Sequence, residues 1–200
     1  AWLVRNSWGS GHGDGGYFWL SYYDNTMSGG RAYKAVSPDK YDYNYRYDTT
    51  GSNGSYINAV ENGTIESVNI FEIKNDQEVL NAVQFATQWS NTHYSIQIYK
   101  NPELTDGVVT NPESGEAMLQ TPVTGTTTYA GLYTVNLPSP VTLSTDDYVA
   151  VVITFSNGSG YLFYDVTQSS SSGDVVWEEV NTTAAGQSFY GNGSSTWTDM

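Results

Sequence analysis

Apolar and polar positions alternate with a period of two through most of the chain, the signature of half-buried strands rather than helices. The alternation is clearest in "HYSIQIYK" (93–100), where Tyr94, Ile96 and Ile98 stand against Ser95 and Gln97. Strand-like segments also cover "TIESVNIFEI" (64–73), "EVLNAVQFAT" (78–87), "YAGLYTVNL" (129–137), "DYVAVVITF" (147–155), "YLFYDV" (161–166), "VVWEEV" (175–180) and "QSFYGN" (187–192). The unbroken apolar run Val149, Ala150, Val151, Val152, Ile153 predicts a central strand covered on both faces. At the front, Trp2 and Val4, a glycine-rich turn (Gly9 to Gly16) and Tyr17, Phe18, Trp19, Leu20 predict a β-hairpin with a long loop.

Punctuation between these runs sets the organisation. Residues 25–40 carry Gly, Ser and Pro without periodicity and read as a junction between a hairpin at 1–24 and a domain at 41–200. Residues 101–125 read as a long loop or an excursion, and "QSSSSGD" (168–174) as a local serine-rich loop. No segment has helical periodicity. The expected fold is therefore all-β: an antiparallel β-sandwich of jelly-roll type preceded by the hairpin. The abrupt close at "SSTWTDM" suggests a final strand beyond Met200, and the front lacks the basic-then-apolar order of a signal peptide.

Composition sharpens this picture. Seventeen Tyr, 20 Gly and only 14% charged residues suit a strand-rich protein. A formal charge of −14 opposes a phosphate backbone or anionic lipid, so no nucleic-acid partner is expected, and no apolar run is long enough for membrane insertion as a helix. The chain has no cysteine, which excludes a disulfide, a thiolate metal site or a cysteine nucleophile of its own. The Tyr/Thr/Asn/Gly-rich, lysine-poor surface suggests an extracellular or cell-surface bacterial module.

Trp2, Val4, Asn6, Ser7, Trp8, Gly9, Gly13, Gly16, Tyr17 and Phe18 resemble the C-terminal signature of papain-family cysteine peptidases in residue type and spacing. The resemblance implies that Asn6 orients a catalytic histidine and that Trp8 shields that hydrogen bond. It also implies that the nucleophilic cysteine and the histidine lie upstream of residue 1. A departure is His12, which stands where the family commonly has tryptophan; on its glycine-rich loop it reads as a loop histidine rather than a replacement base. Residues 40–200 resemble the lectin-like β-sandwich that follows the papain-like domain in some exported bacterial peptidases, through "YDYNYRYD", "EVLNAVQFAT", "HYSIQIYK", "DYVAVVITF" and "GQSFYGNGSSTWTDM".

The resemblance implies a noncatalytic accessory domain whose partners are the upstream peptidase domain and a glycan or cell-surface polymer. The alternative is a module that caps or positions the peptidase without binding sugar. This chain alone should not hydrolyse peptides.

Candidate ligand contacts follow from aromatic placement. Tyr41, Tyr43, Tyr45 and Tyr47 alternate with polar residues and would share one face of an extended strand, where they could stack on sugar rings or pack on the fold. Trp89 and Trp197 fall near loops and are candidate sugar platforms, whereas Trp177 falls within a strand. Asp146 and Asp147, or Asp39, Asp42 and Asp48, could offer oxygen to calcium, but no calcium-binding motif spaces them and no cofactor is expected. The hairpin, without barrel partners in this chain, must cover Trp2, Val4, Trp8 and Phe18 elsewhere, and packing on the sandwich or a second copy is expected.

Overall fold

A computed structural model describes residues 1–26, 32–47, 55–58, 63–156, 161–164, 168–172, 175–179, 183–194 and 196–200, with the backbone alone described in the strands at 55–58, 161–164, 168–172 and 175–179. The chain divides into two compact units, residues 1–44 and 45–200. This boundary lies a few residues beyond the junction read from composition.

In the first unit, β1 (Trp2–Arg5) pairs antiparallel with β2 (Tyr17–Leu20), in the register Trp2↔Leu20 to Arg5↔Tyr17. The intervening loop closes through Asn6 N–H to the Gly16 carbonyl at 2.9 Å and Asp14 N–H to the Tyr17 carbonyl at 2.8 Å. Glycine is required at 13, where φ is +68° and a Cβ would collide with the Tyr17 carbonyl. Within the first unit Trp2, Trp8 and Phe18 are exposed, and Val4 is half-buried. Two strands have too little surface to bury apolar side chains on both of their faces. Trp2 instead meets Tyr22 edge-on, with ring centroids 5.0 Å apart.

The second unit is built from β3 (Ser55–Asn58), β4 (Ile65–Glu72), β5 (Glu78–Thr87), β6 (His93–Lys100), β7 (Leu104–Thr105), β8 (Val108–Val109) and β9 (Glu116–Ala117). It continues with β10 (Val123–Thr126), β11 (Gly131–Leu143), β12 (Tyr148–Ser156), β13 (Tyr161–Tyr164), β14 (Gln168–Ser172), β15 (Val175–Glu179), β16 (Ser188–Gly191) and β17 (Trp197–Asp199). The larger sheet runs β10-β6-β12-β4-β16-β17, with β9 also on β6, and a second antiparallel pair is β11-β5. No α-helix occurs among the described residues.

The two sheets face each other across an apolar core. From the larger sheet come Ile65, Ile96, Ile98, Val149, Ile153 and Phe155; from the smaller come Val83, Phe85, Leu137, Val141 and Leu143. Each fully buried Ile or Val of this set contributes about 1.5–3 kcal/mol relative to exposure. This arrangement is the expected β-sandwich. Strand β12 sits between β4 and β6. Its alternate residues Ala150 and Val152 turn to a second cluster with Val68, Ile70, Val109 and Phe189, so the strand is covered on both faces as its apolar run predicted.

The 101–125 excursion carries the short strands β7, β8 and β9 and most of β10, and Val109 from it covers the outer face of the larger sheet. Its first part is closed where Gly115 approaches the Lys100 carbonyl too closely for any Cβ. The serine-rich 168–172 forms β14 rather than a loop, because Val175–Glu179 supplies a full antiparallel ladder and backbone pairing needs no apolar side chain. Trp197 opens the three-residue strand β17, next to the loop that follows β16, through pairing of β17 with β16.

Candidate functional site

Asn6 leaves β1 at the start of the hairpin loop, and its side chain is held from both ends. The amide nitrogen donates to the His12 carbonyl at 3.2 Å, and Oδ1 accepts from Trp8 N–H at 2.8 Å. These two contacts fix which way the amide points, since a flipped amide would oppose donor to donor and acceptor to acceptor. A carbonyl oxygen has a second lone pair, so Oδ1 retains the capacity to accept from an imidazole brought to it. Trp8 is 76% exposed and its ring meets that of His12 edge-on at 5.6 Å. Within its own unit, the amide and indole are thus arranged beside a loop histidine whose backbone, not ring, engages Asn6. The chain holds no cysteine with which they could act.

The tyrosine series does not form one ladder. No strand runs through residues 41–47, and the four rings divide at the boundary between the units. Tyr41 and Tyr43 are exposed, with Lys40 Nζ 4.9 Å from the centre of the Tyr41 ring. Tyr45 and Tyr47 are half-buried. Tyr45 donates to Glu78 Oε1 at 2.8 Å and accepts from Lys74 N–H at 3.1 Å. Tyr47 donates to the Ile70 carbonyl and stacks on Phe71 at 4.9 Å. Burial, reinforced by the negative charge of Glu72, pushes the Tyr47 phenol up to about 12. Glu78 itself is buried and also accepts from Asn75 Nδ2 at 2.7 Å. These two tyrosines latch the chain to the flank of the sandwich.

Trp89 stands on the turn after β5 and is 48% exposed. Its carbonyl accepts from Thr92 Oγ1 at 3.0 Å. Thr92 in turn is tied to Thr127 by paired bonds, Thr127 N–H to the Thr92 carbonyl at 2.9 Å and Thr92 N–H to Thr127 Oγ1 at 3.2 Å, and both threonines are buried. Trp197 is far less available. It is half-buried against the outer-face cluster, and its ring lies across Gly191, where a Cβ would come within 3.0 Å of Cζ3. Its indole Nε1 is buried with no hydrogen-bond partner. The structure therefore places Trp89 at a rim and Trp197 in packing. Trp177 lies in β15, where the backbone alone is described.

Of the acidic candidates, Asp147 is engaged within the fold. It pairs with Lys100 Nζ at 2.7 Å and accepts from Asn101 Nδ2 at 2.9 Å and Ser144 N–H at 2.7 Å. Burial is the largest single influence and pushes its carboxyl up, but the three donors together outweigh it and hold the group below its ordinary range. Asp39, Asp42 and Asp146 are exposed, and Asp48 lies outside the described residues. No group of three or more His, Asp or Glu side chains that could hold a metal occurs among the described residues.

Two features escaped sequence reasoning. Glu113 is half-buried on the outer face of the larger sheet, where burial, then the charge of Glu66, push its carboxyl up despite a bond from Tyr99 Oη at 3.3 Å. Tyr129 is 73% exposed, yet its backbone is pinned on both sides by Tyr133 Oη, which accepts from Tyr129 N–H at 3.1 Å and donates to its carbonyl at 2.6 Å.

Among solved structures, the chain is similar to the clostridial cysteine protease Cwp84 after propeptide cleavage, with a TM-score of 0.64, 23% identity and 99% of this chain covered. It is also similar to the cysteine protease and lectin-like domains of Cwp84, a surface layer associated protein of Clostridium difficile, with a TM-score of 0.62, 22% identity and 99% coverage. The chain spans 46% and 41% of those two chains. At this identity the likeness shows a shared fold. No curated protein matches the chain. The model of the family "Lectin like domain" matches residues 44–200, which include the whole sandwich, and the chain accordingly belongs to the lectin-like domain family.

Proposed function

We propose that this chain is the noncatalytic, carbohydrate-binding C-terminal part of an exported papain-like cysteine peptidase, held at a bacterial cell surface. The observation that carries this reading is the Asn6 side chain, pre-oriented beside Trp8 in an Asn-Ser-Trp-Gly hairpin that directly precedes a lectin-like domain. Beyond its two loop contacts the amide oxygen can accept from a histidine, and the nucleophile such a histidine would serve is absent from this chain. The parent peptidase domain is thus the natural supplier of both, and the solved relatives join a protease domain to a lectin-like one. In the parent, Asn6 Oδ1 would accept from the catalytic imidazole and fix its tautomer, and Trp8 would exclude water from that bond.

The test has two arms. The purified chain should leave peptide substrates intact and should bind glycans on an array, in the presence or absence of calcium. Peptide cleavage abolished by Asn6→Ala or His12→Ala would overturn the noncatalytic assignment, and an array without any binding would overturn the carbohydrate-binding one.

A second reading, a module that caps or positions the peptidase without touching sugar, is favoured by the hairpin's exposure. Leu3 and Trp19 on one face, and Trp2 and Phe18 on the other, offer apolar surface for a catalytic domain to cover. It predicts a fall in the melting temperature of the parent peptidase when the sandwich is deleted and an empty glycan array.

A further inference from the structure

We infer that the outer face of the β5–β11 sheet, together with Trp89 and Tyr129 at its end, is a binding platform for a neutral polysaccharide; this rests on the carbohydrate-binding reading and names its site and ligand class. The ladder sets three pairs side by side on that face, Ala86 beside Leu132, Gln84 beside Thr134 and Ala82 beside Asn136. Their neighbours Val83, Phe85 and Leu137 turn into the core, so these six turn outward. Gln84 Nε2 donates to Thr134 Oγ1 at 3.1 Å, which holds the amide across the face.

Charge sets this region apart. The chain carries 21 acidic and 7 basic residues, yet residues 79–92 and 117–145, which hold nearly all of β5 and β11 and both of their end loops, contain no Asp, Glu, Lys or Arg. A face so depleted offers a cation nothing to pair with, and the net charge of −14 repels an anionic polymer. Hydroxyls and amides remain for hydrogen bonding, and exposed Leu132 adds apolar contact.

The aromatic end fits the same ligand. Thr87 pairs with Gly131, so Trp89 and Tyr129, each two residues further along, lie at the same end of the ladder. Both ride on backbones fixed by Thr92, Thr127 and Tyr133, which lowers the ordering cost of binding. Exposed, rigidly carried rings suit the C–H faces of pyranoses, and the amide and hydroxyl strip suits their hydroxyls. A protein partner fits less well, because the centre of the face is alanine, threonine and amide rather than the large apolar anchors of a stable interface.

Affinity electrophoresis of the whole chain in gels containing neutral or anionic polysaccharides tests the inference. The expected result is retardation by a neutral polymer, unaffected by salt, and weakened about tenfold by Trp89→Ala or Tyr129→Ala and abolished by Ala86→Glu. Leu104→Ser, at an exposed site on another element, should leave retardation unchanged, and matching melting temperatures should certify that all variants are folded. Retardation of the native chain with all three face variants unaltered would overturn this site while leaving glycan binding standing. Retardation by no polysaccharide would overturn both. Salt-sensitive retardation by anionic polymers alone, or self-association lost on Trp89→Ala, would also overturn the inference.

Discussion

In the hairpin, Trp2 and Phe18 are exposed on one face and Leu3 and Trp19 on the other, and only four ladder positions hold the strands together. In the sandwich, β12 is flanked by two long strands and buries Val149, Ala150, Val152, Ile153 and Phe155. Both regions are rich in large apolar residues, so composition does not distinguish them. What differs is the facing layer within each unit: the larger sheet has β5 and β11 across the core, whereas the described strands of the first unit form a single two-stranded sheet. A strongly patterned segment is thus buried within its own unit only where that unit supplies a second layer.

The largest effect that could break this contrast is a core truncation. Ile98→Ala should cost about 2–5 kcal/mol in urea unfolding, because Ile98 is fully buried between the sheets. Trp19→Ala, a larger deletion on the hairpin, should change stability by no more than about 0.5 kcal/mol. Comparable losses would contradict the assignment of stability to the sandwich.

Next is the clasp at Asp147. Asp147→Asn should cost about 2 kcal/mol at neutral pH through the bonds from Lys100, Asn101 and Ser144. The Asp147 carboxyl titrates below its ordinary value when folded, so its stabilisation is present above the unfolded pKa of about 4 and is lost as pH falls through the folded one. Acid unfolding curves of the variant should therefore be flatter over that interval; identical curves would remove the clasp from the account.

A smaller effect distinguishes the two halves of the tyrosine series. Tyr47→Phe should cost about 1 kcal/mol by loss of the bond to the Ile70 carbonyl, and Tyr43→Phe should cost nothing measurable. With a folded pKa of about 12 against about 10 unfolded, Tyr47 stabilises fully below pH 10 and progressively less up to 12. Spectroscopic titration should find a phenol ionising at about pH 12 that vanishes in Tyr47→Phe. Smallest of all, Asn6→Ala should leave the melting temperature unchanged, since both of its bonds are local to an exposed loop.

Much of the sandwich was legible in the sequence because its long strands carry their own periodicity, most plainly His93–Lys100 and the apolar run in β12. Strands β7, β8 and β9 are two residues each, too short for any period, and arise from tertiary folding of the 101–117 excursion. Tyr41 to Tyr47 were indistinguishable in sequence, since what separates them is contact with Phe71, Glu78 and Ile70 far along the chain. The packing of Trp197 was hidden for the same reason, since its strand exists through pairing with β16. The Asn6 hairpin was visible as a spaced signature, although its amide geometry was not. The uncharged runs at 79–92 and 117–145 were open to inspection, but their meaning appears only when the ladder lays them side by side.

Amide hydrogen exchange on the whole chain tests the contrast most directly. Amides of β4, β6 and β12 should exchange only through global unfolding, while those of Trp2–Arg5 and Tyr17–Leu20 should exchange orders of magnitude faster. Equal protection of the hairpin and these three strands would contradict the claim that the sandwich is self-sufficient and the hairpin is not.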